Sequence, residues 1–192
     1  MQPTQMTWLI LLGLAVLVVL YAVAAYNGLV RGRNQTTEAW SDVETQLKRR
    51  YDLIPNLVET VRGYAEHESS TFERIAAARN AAMGQSGGPE RHSAAEAALS
   101  WSVKSLFALS EAYPDLKANK NFVELQRELS DTEDKIQASR RFYNFMALTF
   151  NNRTETFPSV VVANLFRFKR AAFFELDESE RAEASRPVRV QF

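Results

Sequence analysis

From Trp40 onward, apolar residues recur at every third or fourth position. The first stripe runs through Trp40, Val43, Leu47, Ile54, Leu57 and Val58, Val61, Tyr64 and Ala65, Phe72, Ile75 and Ala82, with three steps of seven. That spacing describes one face of a helix packed along a narrow seam. Glu38, Asp42, Lys48, Glu59, Arg62, Glu66 and Arg74 fill the other faces. The pattern predicts a helix that starts upstream and continues to about Met83, where Gly84-Gln85-Ser86-Gly87-Gly88-Pro89 forces a loop. Pro55 cannot donate to the carbonyl four residues back. It fits either a kink or a restart capped by Asp52, and the unbroken phase of the stripe favours the kink.

A second stripe, Ala95, Leu99, Val103, Leu106, Leu109 and Ser110, and Tyr113, follows the capping box Ser93-Ala94-Ala95-Glu96 and ends at Pro114-Asp115. The third begins at a box-like cap of Asn121 and Glu124. It runs Phe122, Leu125, Leu129, Thr132, Ile136, Ser139, Tyr143, Met146 and Ala147, and Phe150, with breaks expected at Asn151-Asn152 and Phe157-Pro158. A shorter apolar segment, residues 160–176, precedes a polar tail at 177–192. No stretch alternates at period two for long enough to make a sheet strand. Short connections between long helices imply antiparallel neighbours.

The first 30 residues carry no charge, and residues 8–25 form an eighteen-residue run without a polar side chain stronger than Tyr21. At about 1.5 Å per residue such a helix approaches the roughly 30 Å hydrocarbon core of a bilayer. Trp8, Tyr21 and Tyr26 lie near its ends, where amphipathic rings favour the headgroup layer. Ala22-Val23-Ala24 resembles a signal-peptidase site. A signal would have a basic start and a shorter apolar core, so a permanent anchor is the better reading. Arg31, Arg33, Lys48, Arg49 and Arg50 follow the run and no cation precedes it. The positive-inside rule then places residues 1–7 outside the inner membrane and the rest in the cytoplasm. The expected fold is all-α: a transmembrane helix at 8–25, an antiparallel up-and-down bundle of long helices over 26–176, and the tail.

Composition narrows the function. The 192 residues include 23 basic and 23 acidic side chains and no cysteine. Zero net charge argues against nucleic acid as a partner, and the lack of thiols excludes disulfides and thiolate metal sites. His67 and His92 stand in no metal-ligand spacing and read as solvated. There is no nucleophile elbow, P-loop or dinucleotide fingerprint. Glu96 and Glu133 lie near stripes, but no ExxH pair accompanies them. No catalytic residue, cofactor or metal is expected. The Lys48-Arg49-Arg50 cluster reads either as helix-surface pairing with neighbours such as Glu44 or as contact with acidic lipid or a partner. Asn56, Asn80, Asn144 and Asn151 recur at or beside seam positions, where a buried amide fixes register or oligomer state. Six of the twelve Phe fall at or after Phe157, interleaved with Arg167, Lys169 and Arg170. Val162, Phe166 and Phe173 share a face if that segment is helical, so it either lies on anionic lipid or packs back over the bundle.

Several stretches resemble the LemA family of bacterial membrane-anchored helical proteins. They are Tyr26-Asn27, residues 48–58 (KRRYDLIPNLV), Thr60-Val61-Arg62-Gly63-Tyr64, Ala78-Arg79-Asn80, residues 113–119 (YPDLKAN), Phe122, Glu128-Leu129, Thr132-Glu133, Ile136, Arg140-Arg141, Tyr143-Asn144, Phe157-Pro158 and the closing residues 187–192 (PVRVQF). Together they cover about residues 24–192. Phe150-Asn151 departs from the family's Tyr-Asn at the cost of a hydroxyl. The resemblance implies one N-terminal membrane helix and a cytoplasmic helical bundle. It carries no catalytic residues, and some relatives are associated with magnetosome membranes. The expected role is a non-enzymatic scaffold or adaptor bound to the lipid bilayer, self-associating and engaging a membrane-associated protein as yet unidentified. Membrane shaping, or service as an accessory subunit of a membrane protease or envelope-stress system, are the alternatives. Pro55, Asn56, Tyr64, Asn80, Pro114, Asn119, Tyr143 and Asn144 are the structural or interaction candidates. Arg49, Arg50, Arg167, Lys169 and Arg170 are the candidates for lipid or partner contact.

Overall fold

The computed structural model describes residues 3–85 and 87–174, so the tail expected over 177–192 lies outside the described residues. Among these residues there are six helices and no strand: α1 Pro3–Arg62, α2 Ser69–Met83, α3 Pro89–Ser110, α4 Pro114–Lys117, α5 Lys120–Glu155 and α6 Ser159–Leu165. The all-α expectation holds. Two compact units divide the chain, Met1–Ala39 with Asn144–Ala171, and Trp40–Tyr143 with Ala172–Phe192.

The helix expected to reach Met83 stops at Arg62. Residues 63–68 turn, with the amides of Tyr64 and Ala65 both donating to the Val61 carbonyl, and the chain reverses into α2. The stripe concealed this break because Ala65 and Phe72 are seven residues apart and both buried. Arg62 lies over the Phe72 ring at 5.4 Å, closing the hairpin across the turn.

Pro55 does not restart the helix; α1 passes through it. Its missing N–H leaves the Tyr51 carbonyl without the usual partner four residues on. Arg79 on α2 supplies the substitute, its Nε donating to Tyr51 O at 2.7 Å. A sequence defect in one helix thus becomes a docking point for the next.

Helix starts also differ from expectation. α3 begins at Pro89 with Gly88 before it, so Ser93 and Glu96 lie within the helix and form no capping box. The cap of α5 is Asn119, not Asn121: its Oδ1 accepts the amides of Asn121 at 2.9 Å and Phe122 at 3.1 Å. These are the two free donors that an N-cap serves. α5 then continues through Asn151-Asn152 to Glu155.

The second unit is an up-down-up-down four-helix bundle. Trp40 on α1 meets His92 on α3 and Tyr143 on α5, while Arg50 meets Glu96 and Glu133 farther along the same helices. α3 therefore runs parallel to α1, and α2 and α5 run antiparallel to it. Val43, Leu47, Ile54, Leu57, Val61, Ile75, Leu99, Leu106, Leu116, Phe122 and Ile136 are buried in its core. Each such side chain contributes about 1.5–3 kcal/mol.

The first unit is smaller. Leu29, Phe150, Val162 and Ala163 form its centre, with Ala22, Ala25, Phe168 and Ala171 packed around them. Gly32 permits the close approach of α5, since a Cβ there would meet Phe150 Cδ2 at 3.2 Å.

The Pro55–Arg79 arrangement predicts a coupling. Arg79→Met is expected to cost about 1–2 kcal/mol by orphaning the Tyr51 carbonyl. In a Pro55→Ala background, where the helix restores the missing amide, the same change should cost much less. Thermal unfolding of the full chain in detergent measures both; equal costs in the two backgrounds would refute the substitution of one donor for the other.

Candidate functional site

Two features of the chain are candidates for function. One is the start of α1. From Trp8 (72% exposed) through Leu20 (60% exposed) every large side chain of the run is exposed. This segment is long and apolar enough to cross a membrane, and none of its apolar window is buried inside the protein. Burial begins at Leu29, beyond the apolar run, and continues along the same helix at Gly32, Thr36 and Ala39.

The other is a charged cluster inside the bundle. Arg50 is 4% exposed and Glu96 5%. The Arg50 guanidinium pairs with the Glu96 carboxylate, reaches Glu133 Oε2 at 2.8 Å and donates to Ser100 Oγ at 3.0 Å. Tyr51 donates its hydroxyl to the other Glu96 oxygen. Three helices, α1, α3 and α5, meet at this one cation. Burial pushes the Tyr51 phenol up from its ordinary value of 10.0, with Arg50 opposing the shift. The reading of Arg50 as a lipid or partner contact is therefore corrected: its charge is consumed inside the fold, and its partners lie on other helices, not at Glu44. Glu44 instead accepts from Trp40 Nε1 at 2.9 Å. Lys48 and Arg49 remain exposed.

The other candidates separate by burial. Tyr143 is buried, donates to the Ala172 carbonyl at 2.6 Å and packs edge-on against Trp40 at 5.3 Å. Burial, with the Glu90 charge adding to it, pushes its phenol up to about 12. Asn119 donates to Tyr64 Oη at 2.9 Å, so two flagged residues 55 positions apart meet at one end of the bundle. Pro114 starts α4 in that same connection. Asn144 is half-buried. Asn56 and Asn80 are exposed, so neither fixes the register of helices within this chain. Asn151 is the buried asparagine: its amide donates to the Ala171 carbonyl at 2.9 Å and its oxygen accepts the Ala171 amide at 2.8 Å. Pro55, Val58, Arg62, Arg79 and Asn80 border an open cleft of about 370 Å³ between α1 and α2.

His92 was read as solvated and is buried. It packs edge-on against Trp40 at 5.4 Å, and burial pulls its imidazole below the ordinary 6.5, with Glu44 opposing. His67 is exposed. Among the described residues no group of three or more His, Asp or Glu side chains is placed to hold a metal ion.

Arg167, Lys169 and Arg170 are exposed, and Arg170 pairs with Glu155 at 2.8 Å. The helix carrying this region ends at Leu165, so Phe166 and Phe173 are not on a common helical face with Val162.

An apolar helix long enough to cross a membrane, on the same chain as a helical bundle, points to a membrane-associated helical protein. The family model described as LemA family matches residues 39–192, and the chain belongs to that family. It is 30% identical to Protein LemA of Metamycoplasma hominis over 84% of this chain and 74% of that one. It is 25% identical to Magnetosome protein MamQ 2 of Paramagnetospirillum magneticum and 23% identical to Magnetosome protein MamQ of Magnetospirillum gryphiswaldense. In both cases the match spans 78% of this chain and 64% of the relative's length. None of these names denotes an enzyme.

The buried cluster predicts a non-additive pair. Glu96→Leu alone leaves the Arg50 cation short of its main counter-ion and is expected to cost about 3–5 kcal/mol. Adding Arg50→Met should recover a large part of that loss, which urea unfolding of the two variants would register. Tyr143 predicts an alkaline limit. Its phenol ionises near 10 in the unfolded chain and only near 12 when folded, so its stabilisation is full below pH 10 and fades as the pH rises toward 12. Over that window about 2–3 kcal/mol is lost. Melting temperatures measured from pH 9 to 12 should fall less steeply for Tyr143→Phe than for the parent.

Proposed function

We propose that this protein is a non-enzymatic scaffold or adaptor of the LemA type, held in the inner membrane by residues 8–25 with its N-terminus outside and its bundle in the cytoplasm. The observation that carries this reading is α1 itself. The helix that exposes a membrane-length apolar surface goes on to contribute Arg50, Tyr51 and the core positions of the bundle. The charged interior favours architecture over chemistry, because the acid, the base and the hydroxyl of the cluster are spent on one another. What is left for function is outer surface: exposed Asn56, Asn80 and Arg49, and the cleft beside Pro55. We read that surface as the place where a membrane-associated protein, or a second copy of this chain, is engaged. The magnetosome proteins among its relatives make organisation of a membrane compartment a natural setting for such a role.

In-cell crosslinking of the full-length protein, read by mass spectrometry, is the direct test. Crosslinks from the bundle to a specific membrane protein or to a second copy are expected. A strict monomer in mild detergent that captures nothing would sink the proposal. Asn56→Leu sharpens it. At an exposed site the change should move stability by no more than about 0.5 kcal/mol, yet it should alter native mass or capture.

A further inference from the structure

The first unit contains a feature that anchoring by α1 leaves unexplained. α6 buries Val162 and Ala163, but Val161 is 59% exposed, Leu165 74% and Phe166 54%; Phe157, just before the helix, is 83% exposed. A contiguous apolar surface of this kind marks a contact with lipid or protein. Its level along α1 is fixed by packing. Ala22 and Ala25, the last turn of the apolar run, touch the core that α6 completes. The Tyr26 ring lies 4.7 Å from that of Phe166 and 5.8 Å from that of Phe168. If residues 8–25 span the bilayer, α6 sits where the span leaves the hydrocarbon.

The charge around it is predominantly positive. This unit carries six basic residues, Arg31, Arg33, Arg153, Arg167, Lys169 and Arg170, and two acidic ones, Glu38 and Glu155. Four of the cations are engaged: Arg170 with Glu155, Arg33 over the Phe168 ring at 5.7 Å, Arg31 with the Asn27 carbonyl at 3.4 Å and Arg153 with the Gly28 carbonyl at 3.4 Å. Arg167 and Lys169 are exposed and make no ion pair among the described residues.

Arg167 holds a costly position. α6 ends in a Schellman turn, the Phe168 amide bonding to Ala163 O at 2.9 Å and the Arg167 amide to Asn164 O at 3.2 Å. The residue at the left-handed site of this turn is usually glycine. Here it is Arg167, at φ 55°. A side chain other than glycine there costs about 1 kcal/mol, and the guanidinium it brings projects from the same turn as exposed Leu165 and Phe166.

We propose that α6 and residues 166–170 form a second, peripheral membrane contact that recognises anionic phospholipid. Phe157, Val161, Leu165 and Phe166 sit at the acyl–headgroup boundary, and Arg167 and Lys169 pair with lipid phosphates. The occupant is lipid because the patch is continuous with the exposed surface of the span and its free charges match an anionic headgroup. The inference rests on reading residues 8–25 as a span, and the experiment separates the two.

The chain has no native cysteine, so single cysteines report without background. Leu165→Cys, Leu17→Cys and Lys104→Cys, each labelled with an environment-sensitive fluorophore, are placed in nanodiscs of phosphatidylcholine with or without phosphatidylglycerol. Quenching by aqueous iodide is then read. The label at 17 should be shielded in both bilayers, that at 104 quenched in both, and that at 165 shielded more strongly when phosphatidylglycerol is present. Arg167→Ala with Lys169→Ala should shift the seated segment toward water about 30-fold, each charge contributing about 1 kcal/mol. A label at 165 quenched like that at 104, with 17 still shielded, overturns the lipid contact and leaves the span intact. Quenching at 17 overturns both. Shielding at 165 that ignores phosphatidylglycerol but rises with protein density identifies a second copy as the occupant and overturns the lipid assignment.

Discussion

A cation buried among three helices must be answered where it lies, and Arg50 imposes that condition on the bundle. Apolar stripes of three-and-four spacing supply most of the stability, but they are nearly self-similar. Sliding one helix by a heptad, about 10 Å, returns a similar set of leucines and isoleucines to the seam. The same slide takes Glu96 or Glu133 away from the guanidinium and leaves a charge unpaired in the interior, which costs several kcal/mol. The ion pair need not add net stability to be decisive. It penalises every register but one, and Tyr51 and Ser100 extend the penalty by requiring their own partners at the same level.

The end of the bundle near Tyr64 is set by backbone donors and acceptors. Asn119 caps α5 with its oxygen and grips Tyr64 with its amide, joining the connection after α3 to the turn after α1. On the α1–α2 side, Arg79 fills the vacancy that Pro55 makes. Each of these residues looks replaceable when considered alone. Each is held by a partner on another element, and that is why polar side chains in a helical repeat can specify a fold.

The apolar periodicity made the helical class, the membrane-length run and most core positions legible in the sequence. Its failures have one origin. The stripe stepped by seven from Leu47 to Ile54, and the omitted position is Arg50, three residues from one and four from the other. It stepped by seven again from Ala65 to Phe72, and the omitted positions hold a reversal of the chain. A skipped heptad position is silent about what fills it, whether a buried ion or a turn. Residue type could not separate Arg50 from Lys48 and Arg49; helical phase could, since only Arg50 falls on the stripe. His92 and Glu96 were hidden by the same habit of giving core positions to apolar residues alone. Asn56 and Asn80 show the reverse error: a seam amide was inferred from its neighbourhood in sequence, and the exact angle around the helix turned both outward.

The distribution of exposed apolar side chains separates the two units chemically. Among the described residues of the second unit the large ones are Tyr64, Met83, Trp101, Val123 and Phe142, spread over three helices and a turn. Scattered exposure of that kind is ordinary for a protein surface in water. In the first unit they crowd the stretch from Met6 to Tyr26 and reappear at Phe145, Leu148, Phe157, Val161, Leu165 and Phe166. The same unit concentrates its cations beyond the apolar run, from Arg31 onward, and carries none within it. Apolar surface bounded on one side by a band of cations is the pattern of a protein segment solvated partly by hydrocarbon and partly by headgroups. The second unit, by contrast, exposes apolar side chains only singly among its described residues, and it uses the Arg50–Glu96–Glu133 cluster to hold its helices together.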